Sequence, residues 1–103
     1  MTSNALDYYQ EKAYEFAVYK SKHYPYLALA EEAGEVAALA AKSLRKCGDL
    51  SAVDRWKLSK ELGDVLWQLC AIATDHQLLL SDIADDNIVK LTNRKINGEI
   101  CER

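Results

Sequence analysis

Apolar residues recur along this chain at the three-and-four spacing of helices. From about Ser3 to Lys22, Leu6, Tyr9, Ala13, Phe16, Ala17 and Lys20 form one stripe, and Asn4 with Asp7 three later predicts an N-cap. Tyr24-Pro25 breaks the chain, and Pro25 suits the first turn of the next helix, where its missing N–H costs nothing. The second helix runs to about Lys46, with Lys42, Arg45 and Lys46 placed favourably for the macrodipole, and its alanines and Gly34 admit another helix closely. Ser51 with Asp54 resembles a capping box that opens a third helix reaching about Gln77, with Leu58, Leu62, Val65, Leu66, Leu69, Ile72 and Ala73 as its buried stripe. Ser81 is the candidate N-cap of a last helix to about Lys95, and Asn97-Gly98 onward is expected to be a frayed tail. Four helices, short connections and no strand predict an all-α four-helix bundle, one domain over residues 1–103.

The acids interrupt this pattern. Glu31, Glu32 and Glu35 sit in the apolar stretch from Ala28 to Ala41, with no basic residue before Lys42. Glu31 and Glu35 are four apart, and Glu32 and Glu35 three apart, so each pair shares a face and repels. The third helix carries Glu61 and Asp64, again three apart. Lys57 and Lys60 are possible salt-bridge partners for Glu61, whereas Asp64 has no basic residue three or four away on either side. A short turn makes the two helices antiparallel, so Glu32 and Glu35 can face Glu61 and Asp64. Four carboxylates without imidazole or thiolate make an all-oxygen site suited to Mg²⁺ or Mn²⁺. No His stands three beyond any of these acids, unlike the di-iron bundles, and His23 and His76 read as ordinary polar residues.

A carboxylate-held Mg²⁺ commonly serves phosphate chemistry, and Lys90 and Arg94 with Asn87 can supply cations and an amide from the last helix. There is no Gly-rich phosphate loop. All six tyrosines lie within residues 1–26. Phe16 and one or two of these tyrosines, Tyr19 among them, are candidates to stack on a flat ligand such as a base. Trp56 and Trp67 are expected in the core or an interface.

Composition narrows the classes. Half of the 103 residues are apolar, which favours a folded chain. A net charge of −3, with both signs dispersed, leaves no footprint for nucleic acid or an anionic membrane, and disfavours a helix-turn-helix DNA binder. No apolar run is long enough to span a bilayer and no signal peptide opens the chain, so a cytoplasmic protein is expected. Cys47, Cys70 and Cys101 lack paired spacing and read as reduced structural thiols. The residues alone leave three readings open: metal-dependent phosphoryl chemistry, a non-catalytic helical interaction or regulatory module, and a bundle whose acids are merely surface.

Glu31-Glu32-Ala33-Gly34-Glu35 followed by Glu61-Leu62-Gly63-Asp64-Val65-Leu66-Trp67 resembles the E-E-x-x-E … E-x-x-D signature of the MazG-like all-α nucleoside triphosphate pyrophosphohydrolases, a family related to the all-α dCTP pyrophosphatases. Tyr26 to Ala30 and Asn87 to Leu91 with Arg94 extend the likeness to residues 24–95. The resemblance implies Mg²⁺-dependent cleavage of (deoxy)nucleoside triphosphates to monophosphate and pyrophosphate, by a metal-bound water attacking the α-phosphorus, in nucleotide-pool house-cleaning. It implies Glu32, Glu35, Glu61 and Asp64 as metal ligands, and Glu31 with Glu35 in orienting or deprotonating the water. It implies Lys90 and Arg94, with Asn87 and Lys42, on the phosphates, and a homodimer or homotetramer with the pocket near a subunit interface. Two positions depart from the family: Arg94 is followed by Lys95-Ile96-Asn97 where relatives often carry Arg-Tyr-Pro, and the first helix has Tyr and Phe where many carry Trp.

Overall fold

The computed structural model describes residues 4–46 and 48–99, which form α1 (Ala5–Tyr14), α2 (Tyr24–Lys46), α3 (Ala52–Asp75) and α4 (Leu80–Ile96). All four expected helices are present, and the described residues contain no strand. Cys47, Cys101 and the expected tail beyond residue 99 lie outside the described residues.

α3 is the spine. α2 lies antiparallel along it, as its pairings show: Ser43 meets Asp54, Glu35 meets Glu61 and Tyr26 meets His76. α1 crosses another side of α3, and α4 packs chiefly against α1. The fully packed centre is small: Ala13, Cys70, Ala73 and Leu80, with Leu6, Tyr9 and Trp67 against it.

Polar pins lock this centre. Gln10 of α1 is buried, and its Nε2 donates to the Leu78 carbonyl (2.8 Å) and to Thr74 Oγ1 (3.0 Å). Its Oε1 accepts from the Leu80 N–H at 2.8 Å. One side chain thereby caps α4 and ties α1 to the turn between α3 and α4. This overturns the expectation for Ser81, which is buried inside the first turn of α4; the N-cap is Leu79, with no side-chain cap of its own. The α3–α4 turn lacks glycine, so Gln77 takes the left-handed conformation at φ 59°. The Leu78 N–H then reaches the Ala73 carbonyl at 2.8 Å and closes a Schellman motif.

The expected caps on α1 and α3 form. Asn4 and Asp7 make a full capping box, and Ser51 Oγ accepts the Asp54 N–H at 3.1 Å. α1 stops at Tyr14, short of Lys22. The Trp67 indole N–H takes the Ala13 carbonyl (2.9 Å) and Tyr19 turns back to Asp75. Phe16 and Val18 are 69% and 84% exposed, so little burial supports a longer helix here. α4 ends in an ordered cap instead of fraying at residue 97: Gly98 is left-handed (φ 68°) and the Glu99 N–H bonds the Arg94 carbonyl at 2.8 Å.

The predicted α3 stripe is only partly buried. Leu62, Leu66 and Leu69 are exposed, while Gln68, Cys70, Ala71 and Ala73 are buried. α3 is gripped by α2 on one side and α1 on another, and those leucines occupy its free side. The outward face of α2 is likewise apolar and open: Leu27, Ala30, Gly34, Ala37, Ala41 and Leu44 are all exposed, and a Cβ at Gly34 would meet nothing within 4 Å. No helix is long and apolar enough to cross a membrane among the described residues.

Replacing Gln10 by Leu strands the Leu80 N–H and the Leu78 carbonyl, each costing about 1–3 kcal/mol when buried. The melting temperature of Gln10→Leu, read by circular dichroism, should fall by more than about 5 °C. Ser43 Oγ donates to Asp54 at 2.9 Å and holds that carboxyl below its usual range. A depressed carboxyl stabilises the fold above its unfolded pKa of 3.8 and loses that contribution as pH falls through the folded value. Ser43→Ala should therefore melt below wild type at pH 7, with the gap closing under acid below pH 3.8.

Candidate metal centre

The carboxylates converge because two helical repeats meet in register. On α2, Glu32 and Glu35 are one turn apart on the side turned to α3, and on α3 Glu61 and Asp64 are one turn apart on the side turned to α2. One carboxylate oxygen each from Glu32, Glu61 and Asp64 lies within 4.8 Å of the others. Glu32 and Glu61 are half-buried, and the Oε2 of each is shut off from solvent with no hydrogen-bond partner. Buried polar oxygens are rarely left so, since each carries the full desolvation cost.

The electrostatics agree. Burial pushes the Glu32 carboxyl upward; repulsion from Glu35, Asp64 and Glu31 adds to this, and contact with Glu61 offsets part of it. Glu35 is raised first by its hydrogen-bonding contact with Glu61, then by the charge of that carboxylate. Among the described residues no lysine forms an ion pair with the group: the Lys60 ammonium lies 4.7 Å from the Trp56 ring centroid instead of pairing with Glu61. Buried oxygens, mutual repulsion and an all-oxygen donor set fit a hard divalent cation. Glu32, Glu61 and Asp64 form the closest cluster, Glu35 stands beside it in contact with Glu61, and Glu31 is exposed.

Two cavities open along α3, one of them bordered by the acids. One, of about 440 Å³, is lined by Glu35, Ala38, Leu39, Trp56, Lys57, Lys60 and Glu61. The other, of about 550 Å³, opens at Trp67, one turn past Asp64, and joins Phe16, Val18, Tyr19 and Tyr24. Phe16 and Tyr19 therefore do meet, and Tyr24 and Trp67 join them; Tyr19 and Tyr24 stack at 5.5 Å between centroids. Lys57 and Lys60, which the sequence offers only as partners of Glu61, line the cavity beside Glu35 and Glu61. Their spacing of four and one before Glu61 was the available signal.

The remaining expected residues sit elsewhere. Lys42 lies two turns beyond Glu35, where its charge acts on Asp54. Asn87, Lys90 and Arg94 are exposed on α4, and no described hydrogen bond, ion pair or cavity joins them to the carboxylates. Trp67 packs at the core as expected, while Trp56 is exposed.

The all-α fold with facing E-x-x-E and E-x-x-D helices thus presents an acidic, helix-borne site suited to a divalent cation. The MazG nucleotide pyrophosphohydrolase domain model matches residues 21–98, and the chain belongs to that family. A relative in Mycobacterium phage L5, named only as the Gene 37 protein, is 34% identical over 105 aligned positions covering 92% of each chain. No solved structure matches the chain.

If the cluster holds a divalent ion, Mg²⁺ at a hundredfold excess over its Kd stabilises the fold by about 2.7 kcal/mol. Thermal melts should then rise by about 10 °C with Mg²⁺. Glu32→Gln should melt above wild type without metal, because one repelling charge is gone, and should lose the Mg²⁺ response. A response undiminished in Glu32→Gln removes Glu32 from the site.

Proposed function

We propose that this protein hydrolyses (deoxy)nucleoside triphosphates to the monophosphate and pyrophosphate with Mg²⁺, Mn²⁺ being a possible substitute, as a cytoplasmic nucleotide-pool house-cleaning enzyme. Membership of a nucleotide pyrophosphohydrolase family supports the reaction class. The observation that carries it furthest is the trio Glu32, Glu61 and Asp64 within 4.8 Å, with orphaned buried oxygens and a cavity that Glu61 and Glu35 line.

Glu32, Glu35, Glu61 and Asp64 would hold the ion, which supplies Lewis-acid polarisation of phosphate oxygens and of a water. Glu31 and Glu35, at the rim of the cluster, orient the attacking water and accept its proton. The water oxygen bonds the α-phosphorus while the bond from that phosphorus to the α,β-bridging oxygen breaks, and pyrophosphate leaves. The aromatic cavity of Phe16, Tyr19, Tyr24 and Trp67 suits the base by stacking. Lys57 and Lys60, in the cavity that Glu35 and Glu61 also line, suit the phosphate chain.

A homodimer or homotetramer is part of this reading. The chain exposes 8085 Å², whereas a folded monomer of 11.6 kDa is expected to expose about 5,800 Å². Its radius of gyration is 16.3 Å against about 13 Å for a closed domain of this length. The excess of about 2,200 Å² per chain is what obligate homodimers hide. Uncovered apolar surface runs along α2, on Leu62, Leu66 and Leu69 of α3, and on Ile83, Ile88, Val89 and Leu91 of α4. A second copy seated there would cover these faces and bring its Asn87, Lys90 and Arg94 into play. The alternative of a non-catalytic interaction module draws on the same apolar faces but leaves the buried carboxylate oxygens without a purpose.

A panel of NTPs and dNTPs assayed for pyrophosphate should show Mg²⁺-dependent release from at least one member. Glu35→Gln and Asp64→Asn should lose about 100-fold or more of that rate with helicity retained. Lys60→Ala should raise KM more than it lowers kcat. Wild-type turnover in the two carboxylate variants refutes the site assignment; no turnover with any nucleotide, from a protein that still forms a stable complex with another chain, favours the interaction module.

A further inference from the structure

A third cavity, of about 530 Å³, opens at the other end of the α2–α3 pair, among Tyr14, Tyr19, Lys20, Lys22, Tyr26 and Asp75. Asp75 stands eleven residues beyond Asp64 on α3, about 16 Å away by helical rise. The cavity is thus separate from the carboxylate cluster, and the catalytic reading uses none of its lining except Tyr19.

Its chemistry is of a different kind. The one carboxylate in its wall is occupied: Asp75 Oδ1 accepts from the Tyr14 hydroxyl (2.6 Å) and Oδ2 from the Tyr19 hydroxyl (2.7 Å). The bond to Asp75 chiefly raises the Tyr14 hydroxyl, and burial with the same carboxylate raises that of Tyr19, so both phenols stay protonated at neutral pH. The Tyr26 hydroxyl is tied to His76 Nε2. Three phenol rings are therefore fixed in the walls by their own hydrogen bonds. Lys20, Ser21, Lys22, His23 and His76 complete the lining, and neither lysine forms an ion pair among the described residues. The acid is satisfied from within while two ammonium groups remain without a counterion.

We propose that this cavity is a second binding site, for a small anion carrying a flat ring, of which a nucleoside monophosphate is the fitting class. Its volume lies within the range of about 300–1,000 Å³ usual for small-ligand sites. Phenol faces take a planar ring at little entropic cost, and paired lysines take a phosphate as point charges. Two lysines against one carboxylate, whose oxygens already accept two phenol hydrogen bonds, tip the balance of charge in the lining towards an anion. A ligand here would also press on the segment shared with the aromatic cavity at Trp67, because Tyr19, Lys20 and Ser21 line both.

The test is calorimetric titration of the whole protein in EDTA, which silences any metal-dependent binding at the carboxylates. The probes are the four deoxynucleoside monophosphates, the matching nucleosides and inorganic phosphate. At least one monophosphate should bind saturably, ten times tighter than either its nucleoside or inorganic phosphate. Lys22→Glu, an exposed change confined to this cavity, should weaken that binding tenfold or more, as should Tyr26→Ala, while Glu32→Gln leaves it unchanged. Saturable binding by no probe overturns the site. So does binding that Glu32→Gln or Phe16→Ala weakens and Lys22→Glu does not, for the ligand then sits elsewhere. Inorganic phosphate binding as tightly as the monophosphates overturns the ring half of the assignment. Because no hydrolysis is read, this result stands or falls apart from the pyrophosphohydrolase reading.

Discussion

Glu32 and Glu61 turn carboxylate oxygens into the α2–α3 seam where neither water nor a hydrogen-bond donor reaches them. Two long helices packed this closely would ordinarily place alanine or leucine there, and much of the rest of the seam does so. Keeping acids in it costs stability, because desolvation and mutual repulsion both act against the charged forms. Such an arrangement persists where a cation repays the cost. The antiparallel pairing of α2 and α3 sets the register in which the i, i+3 acidic pair of each helix reaches the same level.

α3 organises the other features around that seam. On one side it presents Lys57, Lys60, Glu61, Asp64 and Trp67 within three turns, so ammonium groups, clustered carboxylates and an aromatic ring follow in order along one helix. On another it carries Cys70 and Ala73 into the small core and meets α1 through Trp67 and Gln10. Gln10 holds the start of α4 as well, so a single buried amide joins three helices. The monomer is complete at the seam and at this pin, and incomplete along the outer faces of α2, α3 and α4, where apolar side chains face outward in rows.

Much of the local structure was legible from residue types. The Asn4–Asp7 and Ser51–Asp54 caps, Pro25 in the first turn of α2 and the lengths of the two long helices follow from short-range chemistry, which acts within a turn and needs no partner. Other boundaries answer to distant residues. α1 ends early because Trp67 and Asp75 claim groups near its end, and α4 starts without its own cap because Gln10 supplies one. Periodicity marked Leu62, Leu66 and Leu69 as buried because it reports that a face is apolar, not which neighbour covers it.

For the candidate site, the spacing of Glu32, Glu35, Glu61 and Asp64 along the chain was enough to foresee facing carboxylates, since helical geometry converts spacing into direction. The choice of surrounding side chains was not contained in that spacing. Lys60 meets Trp56 one turn before it on α3, a local contact, whereas tertiary packing set Lys57 and Lys60 across from Glu35, gathered Phe16, Tyr19 and Tyr24 at Trp67, and left Lys90 and Arg94 out on α4. The sequence by itself determined the helices and the acidic motif, because both depend on residues within four positions of one another. Only the tertiary structure decided which rings gather at Trp67 and which α2 residues face Lys57 and Lys60, because those pairings join residues tens of positions apart and depend on how α1 and α2 are set against α3.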